Sequence, residues 1–278
     1  MSLKSARKFF LLGSVFGLFF VSAHVLCAAP AVFSNPVSVA LIEGATPPTQ
    51  AAPYPSSLSV TGLAGWKMAK ATVTLHGLTH TFPSDISMLL AGPQGQSAIL
   101  MAQTGGQNRY SVTNLTLTLD DDATTSLPIY TSLVSGTFQP IDGYLILGYP
   151  HFPYDFPPPA PAGNSNSPAL LGVFKNTDPN GVWNLFIVDD SSGDTGSIAG
   201  GWSLSVAVGV PLQIVHARTN VVLSWPVAAA NCSLQSALNL APTTFWSNVT
   251  TVPVTNAGRL VVTNPAPQRS TFFRLIGP

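Results

Sequence analysis

The sequence predicts an all-β chain: a β-sandwich followed by a smaller β module. Three observations predict it. Apolar and polar residues alternate at period two, as in Ala71, Val73 and Leu75 against Thr72, Thr74 and His76. Turn formers recur at short intervals, with 23 Gly and 25 Pro among 278 residues. No run keeps a helical period beyond about two turns.

The best-defined stretch is Gly181 to Val208. Val182, Trp183, Leu185, Phe186, Ile187 and Val188 put apolar groups on both faces, which suits a central strand buried on both sides. Trp202, Leu204, Val206 and Val208 alternate with Ser203, Ser205 and Ala207, which suits a strand with one face in the core. Ser191 to Gly196 between them holds two Gly and an Asp, residues that tolerate a reversal. The stretch reads as a β-hairpin that closes the sandwich, with Trp183 and Trp202 packed across it.

In chain order, Lys4, Arg7 and Lys8 precede an apolar run from Phe9 to Ala23, then Cys27-Ala28-Ala29-Pro30. A basic head, a short apolar middle and small residues describe a secretory signal peptide over 1–29, cut near Ala28 or Ala29. A lipid anchor on Cys27 is the rival reading, although Leu26 stands where that signal wants a small residue. The run is short for a membrane span and no second candidate exists, so no span is expected in the mature chain. Residues 30–36 read as a linker and 37–210 as the main domain. Strands are expected near Val37 to Ile42, Lys70 to Leu78, Ile86 to Leu90, Ala98 to Met101 and Asn114 to Leu119. Gly92-Pro93-Gln94-Gly95 marks a turn. Ile141 to Pro168 is rich in Pro and aromatics and reads as a long surface loop, because Pro donates no ladder hydrogen bond. Regular structure resumes at Leu170 to Lys175. Residues 211–278 form the second module, with strands at Val221 to Pro226, Ser233 to Ala237, Arg259 to Thr263 and Thr271 to Leu275.

Composition narrows the function. The chain is 46% hydrophobic and 8% charged, too apolar for disorder. Its formal charge of zero hides an asymmetry: all 11 acids lie between Glu43 and Asp194. After Pro211 the charged residues are Arg218, Arg259, Arg269 and Arg274. Two modules with separate surfaces follow. Scattered arginines are not the dense basic stripe that phosphate binding wants, so no nucleic-acid partner is expected. Removal of the leader would take Cys27 and leave Cys232 alone, so no internal disulfide is expected.

Several fragments, in order, resemble the P domain (Homo B domain), the jelly-roll sandwich that follows the catalytic domain of kexin- and furin-like subtilisin-type proteases. They are Val73 to Thr81, Ser84-Asp85-Ile86, and Leu89 to Pro93 with Gly95. Next come Asn180-Gly181-Val182-Trp183-Asn184-Leu185, Asp189-Asp190, Gly193-Asp194-Thr195-Gly196 and Gly200-Gly201-Trp202-Ser203-Leu204. The resemblance implies a jelly roll over about 37–209, without the catalytic domain. Convertases often place the Asp in an Arg-Gly-Asp-Leu run, whereas Asp85 stands between Ser84 and Ile86. Asn220 to Pro226, Leu234-Gln235-Ser236 and Phe272-Phe273-Arg274-Leu275 are similar to fibronectin type III-like modules that end secreted bacterial proteins.

Catalysis finds little footing. A subtilisin-type triad needs Asp, His and Ser on an α/β domain, and no α/β segment is legible. Asp194-Thr195-Gly196-Ser197 spells an aspartic-protease signature, but once and without the apolar strand before it, so a turn is expected there. Ca²⁺ is the better chemical candidate, because it takes oxygens from carboxylates at strand ends and loops. Asp85, Asp121, Asp189 and Asp194 are the expected ligands, with solvated turn aspartates as the competing reading. His76 and His80 straddle a strand and a turn and are not expected to form a metal pair; one of them is expected to bond a loop. Tyr149, Phe152, Tyr154 and Phe156 either cover the end of the sandwich or stack on a ligand. The sequence therefore points to a secreted, non-catalytic module that binds or stabilises a partner. An accessory or truncated member of a secreted subtilisin-type serine endopeptidase system and a carbohydrate-binding module are the alternatives.

Overall fold

The computed structural model describes residues 25–26, 30–42, 47–106, 110–148, 156–161, 166–241, 244–265 and 270–276. The signal peptide, Cys27, Tyr149, Phe152 and Tyr154 lie outside them, apart from Val25–Leu26.

The first 14 strands build two sheets. In chain order they are β1 (Val25–Leu26), β2 (Ala31–Asn35), β3 (Val39–Leu41), β4 (Thr49–Gln50), β5 (Ser56–Val60), β6 (Lys67–His80) and β7 (Ile86–Ala91). There follow β8 (Ser97–Ala102), β9 (Val112–Leu119), β10 (Gly136–Phe138), β11 (Ile141–Asp142), β12 (Gly181–Asp189), β13 (Gly196–Ile198) and β14 (Trp202–Val210). One sheet has eight strands, with β14, β6 and β13 along its spine and β9 beside β6. The other has six, in the order β11-β8-β7-β12-β4 with β5 also on β12. Alternation decides the inner faces: Val73 and Leu75 of β6, Leu204 and Val206 of β14, and Leu185 and Ile187 of β12 share one core.

Two expectations change. β12 and β14 are not a hairpin: they stand in different sheets. Both edges of β12 are taken, by β7 on one side and β5 and β4 on the other. Both edges of β14 are taken by β6 and by β2 with β1. The link carries β13, which pairs β6 and β3 and so takes the chain into the other sheet. Trp183 and Trp202, both 0% exposed, therefore enter the same core from opposite sheets. Residues 30–36, read as a linker, hold β2, which pairs β14 from Trp202↔Asn35 to Val206↔Ala31. Its Val32 faces solvent while Phe33 packs on the core.

β12 is apolar on both faces, as its sequence requires. Its outer face, with Phe186 and Val188, packs with Leu89, Ile99, Tyr144 and Phe156 in a second apolar layer. Tyr144 comes from α1 (Gly143–Ile146), a single turn capped by Asp142.

The second module has its own core of Val221, Leu223, Trp225, Leu234, Val262 and Leu275. Its strands are β15 (Gln213–Ala217), β16 (Asn220–Pro226), β17 (Ser233–Ala237), β18 (Ser247–Asn248), β19 (Val254–Asn256), β20 (Arg259–Pro265) and β21 (Phe272–Ile276). They form a four-stranded sheet, β15-β16-β20-β19, and a three-stranded one, β18-β17-β21. Trp66 packs against the cores of both modules. Among the described residues no helix is long and apolar enough to cross a membrane.

Candidate functional site: an acidic end of the sandwich

Four strand termini meet at one edge of the sandwich. β6 ends at His80, which pairs Gly196 at the start of β13. β12 ends at Asp189, which pairs Ile86 at the start of β7. A 3₁₀ turn, Pro83–Asp85, delivers Asp85 to the same place, and the Asp190 amide donates to the Asp85 carbonyl at 2.9 Å. Gly196 is required by this closeness: a Cβ there would stand 2.0 Å from the Thr79 carbonyl oxygen.

The site gathers Asp85, Asp189, Asp190 and Asp194, the first, second and fourth almost wholly buried. Asp189 Oδ2 meets His80 Nε2 at 3.1 Å. His80 Nδ1 accepts the Phe82 amide at 3.1 Å, so Nδ1 carries no proton and Nε2–H is the donor to Asp189. Asp189 Oδ1 also accepts the Ser191 amide. Asp194 Oδ1 accepts the Thr81 hydroxyl at 2.8 Å. Asp190 Oδ2 accepts the Tyr144 hydroxyl, which in turn accepts from Gln103 Nε2; Gln103 Oε1 accepts from Ser84.

Asp85 has the most shifted carboxyl of the four. Its Oδ2 is buried with no hydrogen-bond partner among the described residues. Burial first, and then the charges of Asp190, Asp189 and Asp194, push its carboxyl up to about 7. Asp190 rises to about 6, again through burial first, although the Tyr144 bond opposes the rise. Tyr144 is itself driven well above the ordinary phenol range by burial and by Asp190. Like charges in a poorly solvated space call for a cation or a proton. As the side chains stand, no three His, Cys, Asp or Glu among the described residues are set to hold a metal ion.

Of the four expected ligands, Asp85, Asp189 and Asp194 come together and Asp121 does not. Asp121 accepts the Leu171 and Gly172 amides at 2.9 and 2.7 Å, capping the 3₁₀ turn Leu171–Phe174. Asp120 and Asp122 beside it both bind Lys70 at 2.7 Å. Asp190, Tyr144 and Gln103 take part where the ligand set did not place them. The doubled Asp189-Asp190 at the end of a strand buried on both faces was the available signal.

Phe156 is not a ligand-stacking aromatic: it is 2% exposed in the layer over β12. The segment is fastened there by Tyr54, whose hydroxyl donates to the Pro157 carbonyl at 2.8 Å. The apolar outer face of the six-stranded sheet needs that cover. His76 Nε2 lies 2.9 Å from Ser203 Oγ on the outer face of the eight-stranded sheet. Among the described residues no carboxylate is hydrogen-bonded to that histidine, so the pair lacks the orienting third group of a triad.

No family model, curated protein or solved structure matches the chain.

Proposed function

We propose that this is a secreted, non-catalytic binding protein whose P-domain-like jelly roll takes up Ca²⁺ at its acidic end and holds a partner. The second module attaches or spaces it. The carrying observation is the Asp85 carboxylate: buried, with one oxygen unpartnered among the described residues, and facing three more carboxylates at strand ends. Ca²⁺ takes about six to eight oxygens at roughly 2.3–2.6 Å and tolerates irregular geometry. Asp85 and Asp194 would be drawn inward onto the ion, with Asp189 and Asp190 supplying further oxygens. Binding would relieve the mutual repulsion that keeps the Asp85 carboxyl high and would tie the ends of β6, β7, β12 and β13 together. The partner the resemblance implies is a subtilisin-type catalytic domain, which a P domain stabilises without performing the chemistry.

The test is thermal melting of the mature chain in EDTA and with CaCl₂. Calcium should raise the midpoint for the wild type and not for Asp85→Asn combined with Asp194→Asn. Equal midpoints with and without calcium in the wild type would remove the ion from the proposal.

A further inference from the structure

The outer face of the three-stranded sheet in the second module carries a guanidinium held in one orientation. Register places Asn248 opposite Gln235 and Gln235 opposite Arg274, one row across β18, β17 and β21. Arg274 Nε donates to Gln235 Oε1 at 2.9 Å, and Gln235 Nε2 donates to Asn248 Oδ1 at 3.0 Å. The guanidinium lies over Trp246, 4.3 Å from the ring centroid. Ring and amide fix the plane of the fork, so little side-chain freedom is left to lose on binding.

The terminal nitrogens of that fork have no carboxylate partner among the described residues. Residues 211–278 contain no Asp or Glu side chain to provide one. A fixed planar fork matches a carboxylate in two parallel hydrogen bonds. Gln235 and Asn248 beside it keep spare amide donors and acceptors. Neighbouring strands lie about 4.8 Å apart, so the row spans roughly 10 Å, enough for successive rings of a chain rather than one. A protein partner is favoured by an apolar centre with a polar rim, whereas this row is polar throughout.

We propose that the row binds a carboxylate-bearing polysaccharide of the hexuronate type. The uronate carboxylate sits on Arg274, ring hydroxyls meet Gln235 and Asn248, and a sugar face rests beside Trp246. This names a ligand class for the attaching role given above to the second module, and rests on that reading but not on the calcium site.

The test is affinity electrophoresis of the mature chain in gels carrying polygalacturonate, neutral galactan or poly-L-glutamate, all in EDTA so that the acidic end takes no part. Polygalacturonate should retard the wild type and galactan should not. Arg274→Gln and Trp246→Ala should weaken retardation roughly tenfold or more, the worth of a charged bidentate contact. Arg218→Gln removes the same charge from the β15–β16 turn and should change little. Arg274→Lys keeps the charge and the fold but not the fork, and should lose most of the affinity. Absence of wild-type retardation, full retardation of Arg274→Lys, an equal loss in Arg218→Gln, or equal retardation by poly-L-glutamate would each overturn the proposal, the last in favour of an acidic protein.

Discussion

His80 Nε2 lies 3.1 Å from Asp189 Oδ2, and the two residues belong to different sheets. The pair is therefore a buried polar tie across the sandwich. His80 also accepts the Phe82 amide, so it serves both the tie and the turn leading to Asp85. His80→Ala should cost about 3 kcal/mol, since it strands an amide and a carboxylate oxygen together in a buried place. Urea unfolding at pH 7 measures it; a loss below about 1 kcal/mol would mean that water replaces the ring.

Asp85 should make the ion-free protein weaker as pH rises. Its carboxyl lies near 7 in the fold against an ordinary aspartate value of 3.8, so the folded state holds the proton longer. Its contribution is least unfavourable below about 4 and worsens through the window up to about 7. At 1.36 kcal/mol per unit the full loss is on the order of 4 kcal/mol. Asp85→Asn removes the titration. In EDTA, the unfolding free energy of the wild type minus that of Asp85→Asn should fall between pH 4 and pH 7 and then level. A flat difference would show that Asp85 is well solvated.

Asp121→Ala should lower stability by about 1–2 kcal/mol, the usual worth of a lost cap, and leave any calcium response untouched. The reason is its pair of amide bonds to the turn that seats Phe174, whose ring meets Trp183 edge-on at 4.8 Å. Paired melts of this variant with and without CaCl₂ separate a cap from a ligand.

The strands were legible because alternation is local. Val73 and Leu75 against Thr72 and Thr74 need no knowledge of the partner strand. Pairing is not local, and this is where the hairpin reading failed. β12 and β14 look like neighbours along the chain, yet each finds its edges elsewhere, and the short β13 between them carries no strong pattern. The acidic end was half legible for the same reason. Turn chemistry marks Asp85 and Asp121 alike, and only the long-range register of β6, β7 and β12 decides which one joins Asp189. Phe156 was open to either reading as an aromatic on a Pro-rich loop. The two-faced apolarity of β12 already demanded a cover for Phe186 and Val188, and that demand is what Phe156 answers.

Tyr144→Phe gives the sharpest test of the outer half of the site. The hydroxyl links α1 to Asp190, 46 residues away, and accepts from Gln103. Its removal takes a donor from the part-buried Asp190 carboxylate, a cost of about 1–3 kcal/mol once that group is ionised. The cost should depend on pH. Asp190 titrates near 6 with the hydroxyl in place, and that bond is one of the influences holding it down. Without it the carboxyl rises further, so the folded state favours the proton more strongly and loses more on ionisation. At pH 5 a protonated Asp190 needs no donor, and the variant should lie close to the wild type. At pH 8 an ionised Asp190 has lost its strongest donor, and the gap in urea-unfolding free energy should be at its widest. A gap of equal size at both pH values would assign the tyrosine to packing alone, through its ring in the layer over β12.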